Sequence, residues 1–146
     1  MTINIMKTRE GAVIPERSTP GSAGMDLRAC IDAPLLLPAG GRAAVPTGIA
    51  ISLPSPDMAA FIYARSGLGI NKGITLSNGV GIIDSDYRGE ICVGLVNLSD
   101  EDYEISPGER VAQMIISPVL LPEISEAPAL DETSRGSGGF GSTGKI

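Results

Sequence analysis

The chain has 146 residues, a net charge of −6 and no histidine. The lack of histidine excludes Ser-His-Asp and Cys-His nucleophile systems as well as histidine-ligated zinc, so acid–base chemistry falls mainly to carboxylates. A divalent metal would be a hard ion held by oxygen atoms, and Mg²⁺ is the first expectation. The negative charge disfavours a large nucleic-acid surface. Arginine supplies most of the cations, which either bind a small phosphorylated ligand or only pair with surface carboxylates.

Short β segments separated by turn residues dominate the chain and predict an all-β fold. Four strands are predicted, at residues 48–53, 58–64, 90–97 and 110–120. In the third of these, Ile91, Val93 and Leu95 alternate onto one face, and a short helical turn is predicted near residues 66–71. Such spacing is typical of an antiparallel sandwich, jelly roll or barrel. Because aromatic residues make up only 3% of the chain, the core must be aliphatic.

The length and composition predict one globular core over residues 1–121, followed by a linker and a tail. Residues 122–134 are acidic, contain two prolines and show little periodicity, so they are interpreted as a linker to residues 135–146. The sequence contains no apolar run long enough to span a membrane and no signal peptide at its start, and a cytoplasmic location is therefore expected. Cys30 and Cys92 lack metal-site spacing and are expected to be buried, reduced thiols.

Two stretches in the first half differ from ordinary strand or turn sequence. In PGSAGMDLRA, residues 20–29, small residues lead to Asp26, although a lone Asp in such a setting is more often a turn or capping residue. In YARSGLGI, residues 63–70, a guanidinium, a hydroxyl and an unhindered backbone N–H follow a buried strand. Such a trio can bind phosphate oxygens, with an ordinary strand-end turn as the alternative. Its members are Arg65, Ser66 and Gly67.

The stretch SNGVGIIDSDYRGEI, residues 77–91, carries the most information about function. Asn78 and Gly81 belong to a segment whose backbone can approach a ligand closely. Asp84 follows two isoleucines, so its carboxylate is expected to be partly withdrawn from water and a stronger base. Charged residues crowd around Tyr87 in a way that is unfavourable for a plain hairpin, although hairpin turns are often rich in Asp and Gly.

Gln113 lies within PGERVAQMII, residues 107–116, among apolar strand residues. The amide is either a satisfied core group or a ligand contact. The C-terminal stretch RGSGGFGSTGKI, residues 135–146, matches the dinucleotide fingerprint and most of the phosphate-loop pattern, but both need a following helix. A disordered Gly/Ser tail is the simplest interpretation. Arg135 and Phe140 instead favour an arm that closes over a site, which could belong to another subunit.

These five stretches, taken together and in order, closely resemble the trimeric dUTP pyrophosphatase (dUTPase) family. The matching segments are AGMDLRA, ARSGLGI, NGVGIIDSDYRGEI, GERVAQMII and RGSGGFGSTG, and the resemblance runs from about residue 20 to residue 144. It implies a jelly-roll-like distorted barrel, assembled as a homotrimer with active sites where subunits meet. It also implies a flexible C-terminal arm and hydrolysis of dUTP to dUMP and pyrophosphate with Mg²⁺, which keeps uracil out of DNA and supplies the dTMP precursor.

The resemblance assigns the reacting and nucleoside-binding residues by motif. Asp84 would be the general base that activates water for in-line attack on the α-phosphorus, and its carboxylate would also hold the 3′-OH. Tyr87 would pack against the deoxyribose and exclude a 2′-OH. The backbone around Asn78 to Val93, which includes Gly81, would read the uracil edge.

The resemblance also assigns residues to the triphosphate, the base and the metal. Asp26 would hold the Mg²⁺ shell, through water. Phe140 of the arm would stack on uracil. The phosphate chain would be bound by Arg65, Ser66, Gly67 and Gln113. Arg135, Ser142 and Thr143 of the arm would complete the contacts with the γ-phosphate, and Gly141 of the arm is also assigned to the substrate-binding site.

Two other interpretations remain open at this stage. The dCTP deaminase branch of the same fold has longer chains and a dedicated Glu in the base pocket, which is not evident here. A non-enzymatic structural or regulatory protein of the same fold is the second, and the presence of Asp84, Tyr87, Arg135 and Phe140 argues against it.

Overall fold

The computed structural model describes residues 1–139, and in this part the chain forms short β-strands and one short helix. The elements are β1 (Asn4–Lys7), β2 (Met25–Arg28), β3 (Leu35–Leu37), β4 (Arg42–Pro46), β5 (Ile49–Ser52), β6 (Met58–Tyr63), α1 (Ser66–Lys72), β7 (Ile74–Leu76), β8 (Gly81–Ile83), β9 (Cys92–Asn97), β10 (Tyr103–Ile105) and β11 (Arg110–Pro118). The four predicted strands and the short helix are confirmed, with boundaries that differ by at most two residues. Residues 1–139 contain no helix that is long and apolar enough to cross a membrane.

The strands pair antiparallel in four sheets. The largest has the order β2-β11-β6-β8, a second has the order β4-β9-β7, and two further pairs join β1 to β5 and β3 to β10. Neighbours in these sheets are far apart in sequence, as β2 and β11 illustrate. Because of this, each sheet brings together segments that local sequence cannot relate to one another.

The core is aliphatic, as the composition predicts. Val93 and Leu95 of β9, together with the preceding Ile91, are each at most 2% exposed, which confirms the predicted alternation. The largest fully buried side chains are aliphatic or thioether groups with one exception, the amide of Asn97. This amide donates to the carbonyls of Leu37 and Glu101 and accepts from Ser99, so its burial leaves no polar atom unpaired.

The expectation of buried thiols is wrong. Cys30 is half-buried and Cys92 is exposed, and both are free. Cys92 begins β9, where the alternation that buries Val93 and Leu95 directs its side chain to the other face of the sheet. Cysteine is usually buried because its side chain is apolar, but at this position strand parity decides the exposure.

The chain leaves the sheets after β11. The N–H of Val119 donates to the carbonyl of Asp57 at 2.8 Å, and residues 122–134 have no regular secondary structure and are exposed. Their apolar side chains share this exposure, since Ile124 is 99% and Leu130 86% exposed. The division into core, linker and arm stays a prediction.

Tyr103 fastens the turn between β10 and β11. Its hydroxyl donates to the carboxylate of Glu109, and the second carboxylate oxygen accepts the N–H of Ser106 at 2.9 Å. Burial and the neighbouring Glu109 raise the pKa of the Tyr103 phenol to about 12. Deprotonation would place a second negative charge beside Glu109, so the turn requires the neutral phenol.

Tyr103 is expected to make folding stability depend on pH in the alkaline range. Its folded pKa exceeds the ordinary value of about 10, so its contribution is complete below pH 10 and is lost as the pH rises toward 12. Urea unfolding at steps from pH 9 to 11.5 should show a steeper loss of stability for the wild type than for Tyr103→Phe. Other groups titrate in this range as well, and the difference between the two proteins is therefore the measurement. Parallel curves would contradict the role of Tyr103.

Candidate active site

A row of side chains crosses three strands of the largest sheet. Gln113 of β11 lies opposite Asp26 of β2 on one side and opposite Tyr63 of β6 on the other. Residues directly opposite one another in a sheet project from the same face. The next row, with Met114 opposite Met25 and Ile62, is buried in the core. Asp26 and Gln113 therefore lie on the outer face of the sheet, which we call the cleft face.

Two arginines converge on the carboxylate of Asp26. Arg65 follows the end of β6, and its Nε donates to Oδ1 of Asp26 at 2.8 Å. Arg110 begins β11, and one of its terminal nitrogens donates to Oδ2 at 3.0 Å. The Asp26 side chain is 17% exposed, so the ion pairs are partly shielded from water. One carboxylate between two guanidinium groups leaves a local excess of positive charge in an acidic protein.

Sequence reasoning missed Arg110. The residue stands in the same stretch as Gln113, but a strand position three residues away would normally project from the opposite face. A register shift between Arg110 and Ala112 changes that parity and lets the guanidinium reach Asp26. The available signal was the run of polar residues before the apolar part of β11, which did not specify a contact.

The cleft on this face has a volume of about 330 Å³. Ser66 lies at the start of α1 and is exposed toward it, and Gly67 has open space around its Cα. The helix follows Arg65 without a side-chain cap. Side chains and backbone from three sequence-distant stretches line the cleft: Ser22, Gly24, Asp26, Arg65, Ser66 and Gln113.

The amide of Gln113 is held in place on both sides. Its Nε2 donates to the carbonyl of Ala64 at 2.9 Å. Its Oε1 lies against the Cα of Gly24, where an added Cβ would overlap it and would stand 3.3 Å from Gln113 Cβ. The nitrogen of the Gln113 amide is therefore paired within the protein, and the side chain also lines the cleft. The contact of Gln113 with a ligand stays a prediction.

A second group of candidate residues occupies the loop after β8. The N–H of Tyr87 donates to the carbonyl of Asp84 at 3.2 Å, which closes a turn. The guanidinium of Arg88 donates to the carbonyls of Ser85 and Tyr87 at 2.7 and 2.9 Å. Asp84 is exposed, so the expectation that its carboxylate is partly withdrawn from water does not hold within the chain.

Glu90 anchors the far end of this loop. Its Oε1 accepts from Nε of Arg9 at 2.8 Å and from the N–H of Gly48 at 2.8 Å. The contact with Glu90 raises the pKa of the exposed Arg9. The sequence pattern marked Glu90 only as one of several charges in the loop and contained no sign of its partner 81 residues away.

The group of residues around Asp26 and the loop after β8 lie at different levels along the largest sheet. Ile83 of β8 is opposite Ala60 of β6, which places Asp84 near Ala59 at the end of β6 remote from Arg65. Six residue steps separate Ala59 from Arg65, which corresponds to about 20 Å of extended chain. Gly81 lies at an intermediate level, opposite Ile62, and the Asn78 side chain lies beside Gly81. Within one chain, Asp84 and Arg65 therefore lie toward opposite ends of β6.

The predicted arm residues are described only in part. Arg135 is exposed, and its Nε donates to the carbonyl of Gly138 within the tail. The remaining predicted arm residues lie outside the described part of the chain: Phe140, Gly141, Ser142 and Thr143.

Comparison with known proteins agrees with the motif order. The dUTPase family model matches residues 10–144. The chain is 50% identical over 131 residues to the deoxyuridine 5′-triphosphate nucleotidohydrolase of Desulfitobacterium hafniense, covering 90% of this chain and 87% of that protein. It is 49% identical over 145 residues to the enzyme of the same name from Thiobacillus denitrificans, covering 99% of each.

Solved structures show the same fold. A Staphylococcus bacteriophage 80alpha dUTPase with dUpNHpp superposes with a TM-score of 0.87 at 24% identity, covering 98% of both chains. A variant dUTPase from phage phi11 of S. aureus, which coordinates a structural Mg(II) ion, has a TM-score of 0.80 at 21% identity and covers 90% of this chain and all of its own. With the family match over nearly the whole chain and about half of all residues identical to curated relatives, the chain belongs to the dUTPase family.

Proposed function

We propose that the protein hydrolyses dUTP to dUMP and pyrophosphate with Mg²⁺, as a homotrimer of jelly-roll-like subunits. The observation that carries this proposal is the cleft lined by Asp26, Arg65 and Gln113, in which the Asp26 carboxylate pairs with Arg65 and with the neighbouring Arg110, on a chain of the dUTPase family. A convergent pair of guanidinium groups suits a ligand with several anionic oxygens. Cytoplasmic location and supply of the dTMP precursor follow from this proposal.

The cleft would bind the phosphate chain. Arg65 offers nitrogens beyond the one bonded to Asp26, and the Ser66 hydroxyl and the Gly67 N–H lie at the adjoining start of α1. Gln113 adds an amide whose direction is set by its bond to Ala64. Charge neutralisation and positioning are what phosphoryl-type transfer requires most.

Asp26 is the residue that would hold Mg²⁺, through water. Both of its carboxylate oxygens accept guanidinium hydrogens, and residues 1–139 contain no group of three or more acidic, His or Cys side chains that could ligate an ion. This donor set fits an ion that keeps its waters and takes its other ligands from substrate phosphates, as Mg²⁺ does. When bound, the ion supplies charge neutralisation on the phosphate oxygens.

Asp84 would deprotonate the water that attacks the α-phosphorus in line. Its exposed carboxylate can reach a ligand held by another chain, and the same carboxylate would hold the 3′-OH. Tyr87, 45% exposed, would pack against the deoxyribose and leave no room for a 2′-OH. The backbone near Asn78 and Gly81 would read uracil.

The active site would form between subunits. The position of Asp84 and Arg65 toward opposite ends of β6 supports this arrangement, because the base and the phosphate-binding group must meet at one substrate. The exposed segment after β11 is consistent with an arm that reaches beyond its own subunit. Its Arg135, Ser142 and Thr143 would contact the γ-phosphate, Phe140 would stack on uracil, and Gly141 would belong to the same substrate-binding segment.

The activity is tested by offering dUTP, UTP, dTTP and dCTP separately, with Mg²⁺, and identifying the products by chromatography. We expect dUMP and pyrophosphate from dUTP alone. Asp84→Asn should lower the rate by roughly 10²–10⁴-fold, the contribution of a general base. Ammonia and a uracil nucleotide from dCTP would assign the chain to the deaminase branch, and no turnover at all would support the non-enzymatic alternative.

Mixed assemblies test whether the site is shared. Asp84→Asn and Arg65→Ala should each be nearly inactive alone. Co-expressed with different tags, they should recover activity, because random mixing into trimers gives intact sites at about a quarter of positions. Co-expression of Asp84→Asn with wild type gives the reference against which the recovered activity is compared. No recovery in purified mixed assemblies would place both residues in a site within one chain.

Gly24 is expected to be required for the orientation of Gln113. In Gly24→Ala the new Cβ overlaps Oε1 of Gln113, so the amide must turn away from the cleft. We expect kcat/KM for dUTP to fall by about 10- to 100-fold, the value of one hydrogen bond to a charged group. Gly21→Ala, where an added Cβ meets nothing within 4 Å, is the matched control. Equal activity of the two variants would contradict this role.

A further inference from the structure

The Tyr87 ring folds back onto the main chain of Gly89. An ideal Cβ built on Gly89 would stand 2.5 Å from Cζ and 3.0 Å from Cε2 of Tyr87, and closer still to the phenolic oxygen. Carbon atoms in van der Waals contact lie about 3.5–4.0 Å apart, so the ring occupies the space that a side chain at position 89 would need.

Backbone conformation does not explain the glycine at this position. Within residues 1–139, the glycines with positive φ are residues 11, 40, 48, 73, 79, 108 and 136, and Gly89 is not among them. An L-residue could therefore adopt the Gly89 backbone without strain. What the missing side chain permits is the close approach of the ring.

The hydroxyl of Tyr87 is tied to an anchored part of the loop. It donates to the carbonyl of Glu90 at 3.1 Å. The Glu90 carboxylate is itself held by Arg9, at 2.8 and 3.0 Å, and by the N–H of Gly48 at 2.8 Å. The ring is therefore packed on Gly89 at one side and fastened at its tip, while its other face stays exposed.

We propose that Gly89 is a positioning residue for sugar selectivity, which it controls by setting the position of the Tyr87 ring. The inference rests on the proposed function, in which Tyr87 packs against the deoxyribose. Steric exclusion of a single hydroxyl requires that the Tyr87 ring stays in place. If the ring can move by about the size of one oxygen atom, the enzyme no longer discriminates between dUTP and UTP. A Cβ at position 89 displaces the ring from the backbone and breaks its hydrogen bond to the Glu90 carbonyl, so that the ring is both shifted and more mobile.

The test compares kcat/KM for dUTP and for UTP in the wild type and in Gly89→Ala. We expect the dUTP-to-UTP ratio to fall by about tenfold or more, within the range that one changed contact produces. Gly69→Ala is the matched control, since its added Cβ would meet only a carbonyl oxygen at 3.8 Å. It should leave the ratio unchanged.

A double-mutant cycle separates positioning from general damage to the fold. In a Tyr87→Ala background, Gly89→Ala should have no further effect on the ratio, because the group through which it acts is gone. If the loss of selectivity persists in that background, Gly89 does not act through Tyr87. Urea unfolding of each variant shows whether the loop change reaches the core.

A second variant keeps the inference testable if Gly89→Ala fails to fold. Tyr87→Phe retains the ring and removes the hydroxyl that donates to Glu90, so the ratio should fall in the same direction. An unchanged ratio in both Gly89→Ala and Tyr87→Phe, with wild type that hydrolyses dUTP, would overturn the inference alone. Wild type that does not turn over dUTP would overturn the proposed function together with it.

Discussion

Strand β11 lies between β2 and β6, and its register with both strands governs the position of each group in the cleft. Gln113 is opposite Asp26 and Tyr63, while Met114 is opposite Met25 and Ile62. A shift of one residue would exchange the two faces, so that the amide entered the core and the thioether faced the cleft. Burial of the methionine row therefore stabilises the same register that aligns the polar row.

The cleft concentrates positive charge because Asp26 holds two guanidinium groups near one another. Without the carboxylate, Arg65 and Arg110 would repel each other and move apart into water. With it, both guanidinium groups stay beside the same carboxylate. Partial shielding from solvent strengthens these interactions relative to those of exposed ion pairs. The overall charge of the protein does not reveal this local excess.

The same packing device occurs twice in the candidate site. Gly24 lies beneath the amide of Gln113, and Gly89 lies beneath the ring of Tyr87. In both cases a polar side chain rests on the main chain and is fixed by a hydrogen bond to a backbone carbonyl. A side chain held in this way loses little further freedom when a ligand binds, and such preorganisation lowers the entropic cost of binding.

The sequence by itself determined the all-β class, the aliphatic core, the family and the identity of most candidate residues. Alternation such as that of Ile91, Val93 and Leu95 reports burial directly, because strand period and hydrophobicity are both local properties. Tertiary structure alone decided that Arg110 reaches Asp26, that Arg9 anchors Glu90, and that Asp84 lies toward the end of β6 remote from Arg65. These facts depend on the lateral register of strands and on a local register shift. Both are set by contacts between distant segments, which no local pattern encodes.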